Sequence, residues 1–143
     1  MHQISRTTIV PVSPEKAFDL IADFSNLPVW DPGSVKSELR LGDGYEPGST
    51  FDVVVTFNGR EMPMVYRVVE SSRPNRVVLH GKGLTTKAID TITFDSVPEG
   101  TRIGYTADLS LRGPLRLFEK RLGEAFEKLG DAAIAGISRV LTA

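Results

Sequence analysis

The sequence predicts an α+β fold in which a curved, seven-stranded antiparallel sheet wraps around one long C-terminal helix, with two short helices between strands 1 and 2. Two patterns lead to this prediction. Through most of residues 51–111 apolar and polar residues alternate, and the intervening turns are too short for the crossover of about a dozen residues that parallel pairing needs. From residue 115 to 140 apolar residues recur every three or four positions, the spacing of one helical stripe. At 143 residues without a linker or repeat, residues 1–143 form a single domain.

The composition excludes several functional classes. Lys and Arg number 17 against 18 Asp and Glu, so no global field attracts nucleic acid or an anionic membrane. The absence of cysteine excludes disulfide scaffolds, thiolate metal sites and cysteine nucleophiles. No apolar run reaches the ~18–20 residues that span a bilayer, and the first residues lack a secretory signal pattern. The expected location is therefore the cytoplasm, with no nucleic-acid partner and no stable membrane insertion.

The first third of the chain predicts one strand and two short helices. Residues 3–10 are rich in Thr and Ile, which favours a strand. The Ser-Pro-Glu sequence at 13–15 is typical of a helix start, because Ser caps free amides, Pro suits the first helical position and Glu favours the positive end of the helix dipole. The first helix is predicted over 14–22. A second helical turn, at about 25–30, ends before the Pro-Gly pair at 32–33.

The middle of the chain predicts six further strands. A weak strand at 35–41 is followed by a stronger one at 51–57, and Asn58-Gly59 suits a two-residue hairpin turn because both residues tolerate a positive φ. The return strand places Met62, Met64, Tyr66 and Val68 on one face. The remaining strands are predicted at 76–80, 86–97 and 102–111.

The C-terminal helix is predicted over 114–140, with a length of ~40 Å at ~1.5 Å per residue. A single apolar stripe of that length needs a large apolar surface to cover, and the sheet is the surface available. The stripe consists of Leu115, Phe118, Leu122, Phe126, Leu129, Ala133, Ile137 and Val140.

Three segments resemble one known family. They are Ser-Pro-Glu-Lys-Ala-Phe at 13–18, Ala-Asp-Phe-Ser-Asn-Leu-Pro-Val-Trp at 22–30, and Gly-Thr-Arg-Ile-Gly-Tyr at 100–105. With the order of elements, they resemble the polyketide cyclase/dehydrase and lipid-transport group of the SRPBCC, or START-like, superfamily, whose fold is the helix-grip. The resemblance covers nearly the whole chain. It implies an elongated apolar cavity between the sheet and the C-terminal helix, which in such proteins holds lipids, sterols, quinones, polyketides or plant hormones. A minority of members catalyse cyclisation, dehydration or aromatic-ring hydroxylation.

The residue pattern alone leaves two interpretations of the space between sheet and helix. Its aromatic and methionine side chains either line a cavity or fill it; the resemblance favours a cavity. Empty apolar volume lowers the free energy of unfolding by ~24 cal/mol per Å³. A pocket of ~300 Å³ therefore costs roughly 7 kcal/mol of stability, which is comparable with the net stability of a domain. A protein that keeps a void of that size is therefore expected to bind a ligand in it. The predicted ligand-binding residues are Phe24, Trp30, Phe51, Val53, Val55, Met62, Met64, Tyr66, Asp90, Ile92, Tyr105, Ala107, Phe118, Leu122 and Phe126.

Asp90 is the candidate catalytic residue. It shares its strand face with Ile92 and Phe94, which we expect to be the inner face. Burial there raises the pKa of a carboxyl group, and such a group can act as a general acid or base or orient a ligand hydroxyl. The opposite register would place Asp90 in water beside Lys87 or Arg102.

Three aromatic residues have two interpretations each. The hydroxyls of Tyr66 and Tyr105 need partners if buried, and these partners are a ligand carbonyl, Asp90 or the backbone. Trp30 can wall one end of the cavity and stack on a flat ligand, or anchor the small second helix in the core, and the two roles are compatible.

Other polar features predict no site. His80 is expected on the outer face, and neither it nor His2 has a metal-binding spacing. Residues 81–86 lack the full phosphate-loop pattern and are predicted to be a flexible loop near the cavity mouth, and no Gly-x-Ser-x-Gly elbow is present. The solvent-facing side of the last helix is predicted to carry Arg116, Glu119, Lys120, Arg121, Glu124, Glu127 and Lys128.

These observations predict a carrier or sensor for an apolar small molecule, a monomer or homodimer without cofactor or metal. The first alternative is a metal-free cyclase or dehydratase, a lyase that uses Asp90 as acid or base with a tyrosine stabilising an enolate. The second is a non-catalytic protein-interaction module with a filled core.

Overall fold

The computed structural model describes residues 1–57 and 59–142. Their seven strands form one antiparallel sheet in the order β1-β7-β6-β5-β4-β3-β2. Strands β2 to β7 pair with their neighbours in the chain, and β1 pairs with β7. The predicted fold class is thereby confirmed. Asn58, in the predicted hairpin turn, lies outside the described residues. The strands are β1 (His2–Val10), β2 (Ser34–Leu41), β3 (Thr50–Phe57), β4 (Arg60–Ser72), β5 (Arg76–Gly83), β6 (Thr86–Val97) and β7 (Gly100–Leu111).

Short helices connect β1 to β2, as predicted. Helix α1 (Pro14–Ile21) begins where the Ser13 hydroxyl accepts a hydrogen bond from the Lys16 amide at 3.2 Å. The predicted second turn is a 3₁₀ turn, Phe24–Asn26, followed directly by helix α2 (Leu27–Trp30). Together these elements cover one end of the sheet and bury its aromatic side chains.

Residues 113–142 are helical, but the predicted α-helix over 114–140 is wrong in its first part. Gly113–Leu122 forms a 3₁₀ helix, and only Gly123–Thr142 is α-helical (α3). None of the residues of Gly113–Leu122, all of which the structure describes, is buried. Because residues three apart eclipse one another in a 3₁₀ helix, Leu115, Phe118 and Arg121 share one face. This segment lies beside an open space rather than on a packed core.

Helix α3 packs closely against α2 and β1. A Cβ at Gly136 would stand 1.6 Å from the carbonyl oxygen of Trp30, so only glycine permits this approach. The Arg6 guanidinium of β1 donates hydrogen bonds to Glu127 at 2.8 Å and to Asp131 at 2.7 Å. Glu127, predicted on the solvent-facing side of the helix, is partly exposed and also takes part in a contact between helix and sheet.

The predicted flexible loop at 81–86 is also wrong. Gly81 and Gly83 belong to β5, and Thr86 begins β6, which leaves two residues for the turn. In the register of β4 and β5, Tyr66 lies opposite Gly81 and Met64 lies opposite Gly83. A Cβ at either glycine would stand 2.5 Å from the opposing side chain. The glycines therefore make room for inward-facing side chains of β4.

No helix in the described part of the chain is long and apolar enough to cross a membrane.

Candidate functional site

A cavity of about 520 Å³ lies between the concave sheet face and the C-terminal helical segment. This volume falls within the ~300–1,000 Å³ typical of small-molecule sites. Side chains of β3, β4, β6 and β7 form the sheet wall, and the 3₁₀ segment and α3 form the opposite wall. Most of the lining is aliphatic, aromatic or methionine.

Ten of the fifteen predicted ligand-binding residues line this cavity. They come from β3, β4, β6 and β7 and from both parts of the C-terminal helical segment, so the fold brings together residues up to 71 positions apart. Their contact with a ligand stays a prediction. The ten are Val55, Met62, Met64, Tyr66, Asp90, Tyr105, Ala107, Phe118, Leu122 and Phe126.

The other five predicted residues lie in the packed core, and their placement on the cavity wall is wrong. The helices between β1 and β2 press onto their end of the sheet and fill the space there. The ring centroid of Phe24, for example, lies 6.1 Å from that of Trp30 and 6.2 Å from that of Phe51. Of the two interpretations of Trp30, the core anchor is correct. The five are Phe24, Trp30, Phe51, Val53 and Ile92, each at most 1% exposed.

Four polar side chains meet on the buried side of the cavity. Asp90 of β6, Tyr66 of β4 and Tyr105 of β7 are 5%, 8% and 9% exposed, respectively, and all three line the cavity. Asp90 thus points inward, as its alternation with Ile92 predicts. Asp31, which directly follows α2, completes the group. An apolar chamber with a few convergent polar groups is the usual form of a small-molecule site.

The environment of Asp90 favours its neutral form. Burial raises the pKa of Asp90 to about 7, and the nearby charge of Asp31 contributes to the rise. An interaction with the Tyr105 hydroxyl favours the carboxylate and partly opposes this rise. Near neutral pH, Asp90 can therefore either donate or accept a proton.

Asp31 is a cavity residue that the sequence analysis missed. Its carboxylate accepts hydrogen bonds from the Ser34 hydroxyl at 2.9 Å and from the Gly33 amide at 3.0 Å. Burial raises the pKa of Asp31, and these two hydrogen bonds oppose that rise. The Asp-Pro-Gly-Ser sequence at 31–34 does indicate a turn that binds its own aspartate. What the sequence could not show is that this turn stands at the cavity.

Tyr66 is positioned by its neighbours, yet its hydroxyl has no protein partner. The ring lies over Gly81 and packs edge-on against Phe24, with ring centroids 5.3 Å apart. Among the described residues, none forms a hydrogen bond with the hydroxyl. Burial raises the pKa of Tyr66 well above its usual value, and the charges of Asp90 and Asp31 add to this rise. The phenol thus stays protonated and faces the cavity.

The rim of the cavity is partly exposed. Leu115 and Phe118 are 40% and 44% exposed, and the Arg121 guanidinium lies 5.7 Å from the centre of the Phe118 ring. Arg121 is exposed, as predicted, and it also lines the rim of the cavity. The physical reason is the 3₁₀ geometry, which moves Arg121 onto the face of Leu115 and Phe118. Arg60, Thr85 and Thr86 complete the polar part of the rim.

In the described part of the chain, no three His, Asp or Glu side chains converge so as to hold a metal ion. The chemistry that the cavity wall offers is hydrogen bonding and proton transfer by two carboxyls and two phenols.

The arrangement of sheet, cavity and helix is that of a START-like, helix-grip protein, and comparisons with known proteins agree. The family model described as polyketide cyclase/dehydrase and lipid transport matches residues 1–142. The chain therefore belongs to that family. Among curated proteins, none matches this sequence closely enough to count as a relative.

Solved structures share the fold over nearly the whole chain. Protein TTHA0849 from Thermus thermophilus is 19% identical with a TM-score of 0.79, covering 98% of this chain and 95% of that one. The Zhui aromatase/cyclase from Streptomyces sp. R1128 is 13% identical with a TM-score of 0.80, with coverages of 98% and 93%. A START superfamily protein from Mycobacterium smegmatis is 20% identical with a TM-score of 0.73, with coverages of 98% and 99%. At these identities the likeness concerns the fold alone.

Proposed function

We propose that this protein binds an apolar small molecule in the cavity and acts as its carrier or sensor. The observation that carries the proposal is the chamber of about 520 Å³ with mostly apolar walls and four polar side chains on one side. Burial of apolar ligand surface contributes ~25 cal/mol per Å², and the polar group orients the ligand. The family described as polyketide cyclase/dehydrase and lipid transport supports the same class of occupant.

The size of the chamber also supports an occupant. Core-deletion data give ~24 cal/mol per Å³ of residual cavity, which for this chamber amounts to on the order of 10 kcal/mol. That figure is as large as the net stability of an ordinary domain. A protein-interaction module with a filled core, by contrast, needs no such chamber.

Binding is tested by fluorescence titration with Nile red, a neutral apolar dye. We expect saturable binding to the purified protein, and weaker binding by Ala133→Phe because Ala133 lines the cavity. Ala135→Phe on the exposed face of the same helix is the matched control. Equal binding by both variants, or no binding by the wild type, would count against the proposal. Native mass spectrometry of protein purified from its own host then identifies a co-purifying ligand.

A second function, a lyase of the cyclase or dehydratase type, is favoured by one observation. Asp90 has a pKa of about 7 within the cavity and interacts with the Tyr105 hydroxyl, which suits a general acid or base beside a group that stabilises an enolate. Its test is incubation with a linear poly-β-ketone and detection of products that have lost water. Catalysis by Asp90 predicts that Asp90→Asn binds the same compound but forms no product. Equal turnover by wild type and variant would exclude that role.

A further inference from the structure

The buried side of the cavity carries acidic groups without a compensating cation. Asp31 and Asp90 both line it, and each raises the pKa of the two nearby tyrosines. Among the described residues that are buried, none is a lysine, arginine or histidine. Two carboxyl groups that influence one another electrostatically therefore line the buried side of the cavity without a buried positive partner among the described residues.

An independent observation indicates that this wall is built for a polar ligand group. The Tyr66 phenol is more than nine-tenths buried, lines the cavity and has no hydrogen-bond partner in the part of the chain that the structure describes. The Tyr66 oxygen is not among the fully buried unpartnered polar atoms of the described residues, which are Trp30 Nε1 and Ser37 Oγ. It is therefore open to the cavity, where a water or a ligand can form a hydrogen bond with it. Asp90 and Tyr105 stand on the adjacent strands β6 and β7, and Tyr66 stands on β4 of the same sheet wall, with β5 between.

The chemistry of the wall discriminates between polar head groups. An ammonium group offers three donors and a positive charge, so it can donate to the two carboxyl groups and to the Tyr66 oxygen, and its charge favours the ionised form of Asp90. An alcohol offers one donor and no charge. A carboxylate would add a negative charge beside two acidic groups, where the low dielectric constant strengthens repulsion.

The arginines of the rim do not reverse this preference. Arg60 and Arg121 are exposed, and ion pairs of exposed side chains are weak because water and salt screen them. Asp90, at 5% exposure, is screened far less. The buried side of the cavity therefore dominates the selection of the head group.

From this juxtaposition of Asp31, Asp90 and the unpartnered Tyr66 phenol, we propose that the ligand is an apolar molecule bearing a protonated amine. The amine binds between the two carboxylates, and the hydrocarbon part packs against Val55, Met64 and Phe126. Anionic amphiphiles such as fatty acids are disfavoured. This inference rests on the proposed function, since it names the ligand class of the same cavity.

The test is displacement of Nile red by three chain-matched probes: dodecylamine, 1-dodecanol and dodecanoate, each below its micelle concentration near neutral pH. We expect dodecylamine to displace the dye at a concentration at least about tenfold lower than 1-dodecanol, equivalent to about 1.4 kcal/mol. Dodecanoate is expected to be the weakest competitor. Equal displacement by all three, or stronger displacement by dodecanol or dodecanoate, would overturn the inference while leaving a cavity that binds apolar molecules.

Variants that remove one charge show which residues cause the preference for dodecylamine over 1-dodecanol. Asp90→Asn and Asp31→Asn are each expected to bring dodecylamine and 1-dodecanol to within about threefold of each other. Asp95→Asn, which removes the same charge from an exposed position of β6, is the matched control and should keep the preference. Loss of the preference in the control as well would mean general attraction to an acidic protein surface, and the inference would fail. Absence of Nile red binding, in contrast, would refute the proposed function itself.

Discussion

The Tyr66 ring lies against the backbone of Gly81, at a distance that leaves no room for a side chain at position 81. A Cβ there would stand 2.5 Å from the Cε1 atom of Tyr66 and 2.7 Å from its Cζ. The two residues are direct partners across β4 and β5. A glycine on one strand thus determines where a phenol on the next strand enters the cavity.

Gly81→Ala is expected to lower the free energy of unfolding by about 1–3 kcal/mol, because the new methyl group displaces the Tyr66 ring. Urea denaturation measures this change. In a Tyr66→Ala background the same substitution should cost less than about 1 kcal/mol, since the clash is gone. Lys82→Ala, at the exposed position between the two glycines of β5, is the control. An equal cost in both backgrounds would contradict the proposed contact.

The raised pKa of Asp90 predicts a specific pH dependence of stability. The folded protein holds a proton on Asp90 up to about pH 7, whereas the unfolded chain loses it near pH 3.8. Stability from this group is therefore complete below the unfolded pKa and decreases as the pH rises towards 7. Because Asn does not ionise, Asp90→Asn should be more stable relative to wild type at about pH 8 than at about pH 5, by roughly 2–3 kcal/mol.

Chemical denaturation at the two pH values measures that difference for Asp90→Asn and for Asp95→Asn. The Asp95 variant should follow the wild type at both pH values, because Asp95 is exposed. A pH-independent difference between Asp90→Asn and wild type would show that Asp90 ionises normally in the folded protein.

Gly136→Ala tests the contact between α3 and α2. Helix propensity alone favours alanine by about 1 kcal/mol. The Cβ, however, would stand 1.6 Å from the Trp30 carbonyl oxygen, so we expect a loss of at least about 3 kcal/mol or failure to fold. Gly123→Ala, at the start of the same helix, meets only the His2 ring at 3.5 Å and should be neutral or stabilising. Thermal unfolding, followed by circular dichroism, measures both variants. A gain of stability in both would contradict the contact.

Phe118→Ser tests whether the cavity rim contributes to ligand binding without contributing to stability. Phe118 lines the cavity but is 44% exposed, so its loss should change the free energy of unfolding by less than about 1 kcal/mol. Nile red affinity should fall several-fold, because apolar surface around the dye is lost. Leu117→Ser, at an 83% exposed neighbouring position, should leave both quantities unchanged. The same loss of affinity in both variants would mean that Phe118 has no particular part in the site.

The fold was predictable from the sequence because its signals are local and repeated. Alternation along β6 and β7 correctly predicted that Asp90 and Tyr105 face inward, since a one-residue slip would turn every apolar side chain of the strand to solvent. Short turns then determined the antiparallel order. The helix start at Ser13 was predictable for the same reason, because capping depends on neighbouring residues alone.

The errors concern contacts between distant elements. Trp30 and Phe51 were expected on the cavity wall, but local pattern does not show where the helices between β1 and β2 press down. Asp31 was overlooked because its turn is recognisable while the turn's position over the sheet is not. The place of Arg121 at the cavity rim was not predicted because an α-helical period was assumed for a segment that is a 3₁₀ helix.

If the cavity binds a small molecule as proposed, the 3₁₀ segment Gly113–Leu122 is the wall that we expect to open for ligand exchange. Glu119 ties it to the rest of the molecule by accepting 2.7 Å hydrogen bonds from the Leu111 amide and from the amino terminus. With no buried side chain to extract, this segment can swing aside at a much smaller energetic cost than separation of two strands. We therefore expect ligand exchange rates to depend on the hydrogen bonds of Glu119 rather than on the stability of the whole protein.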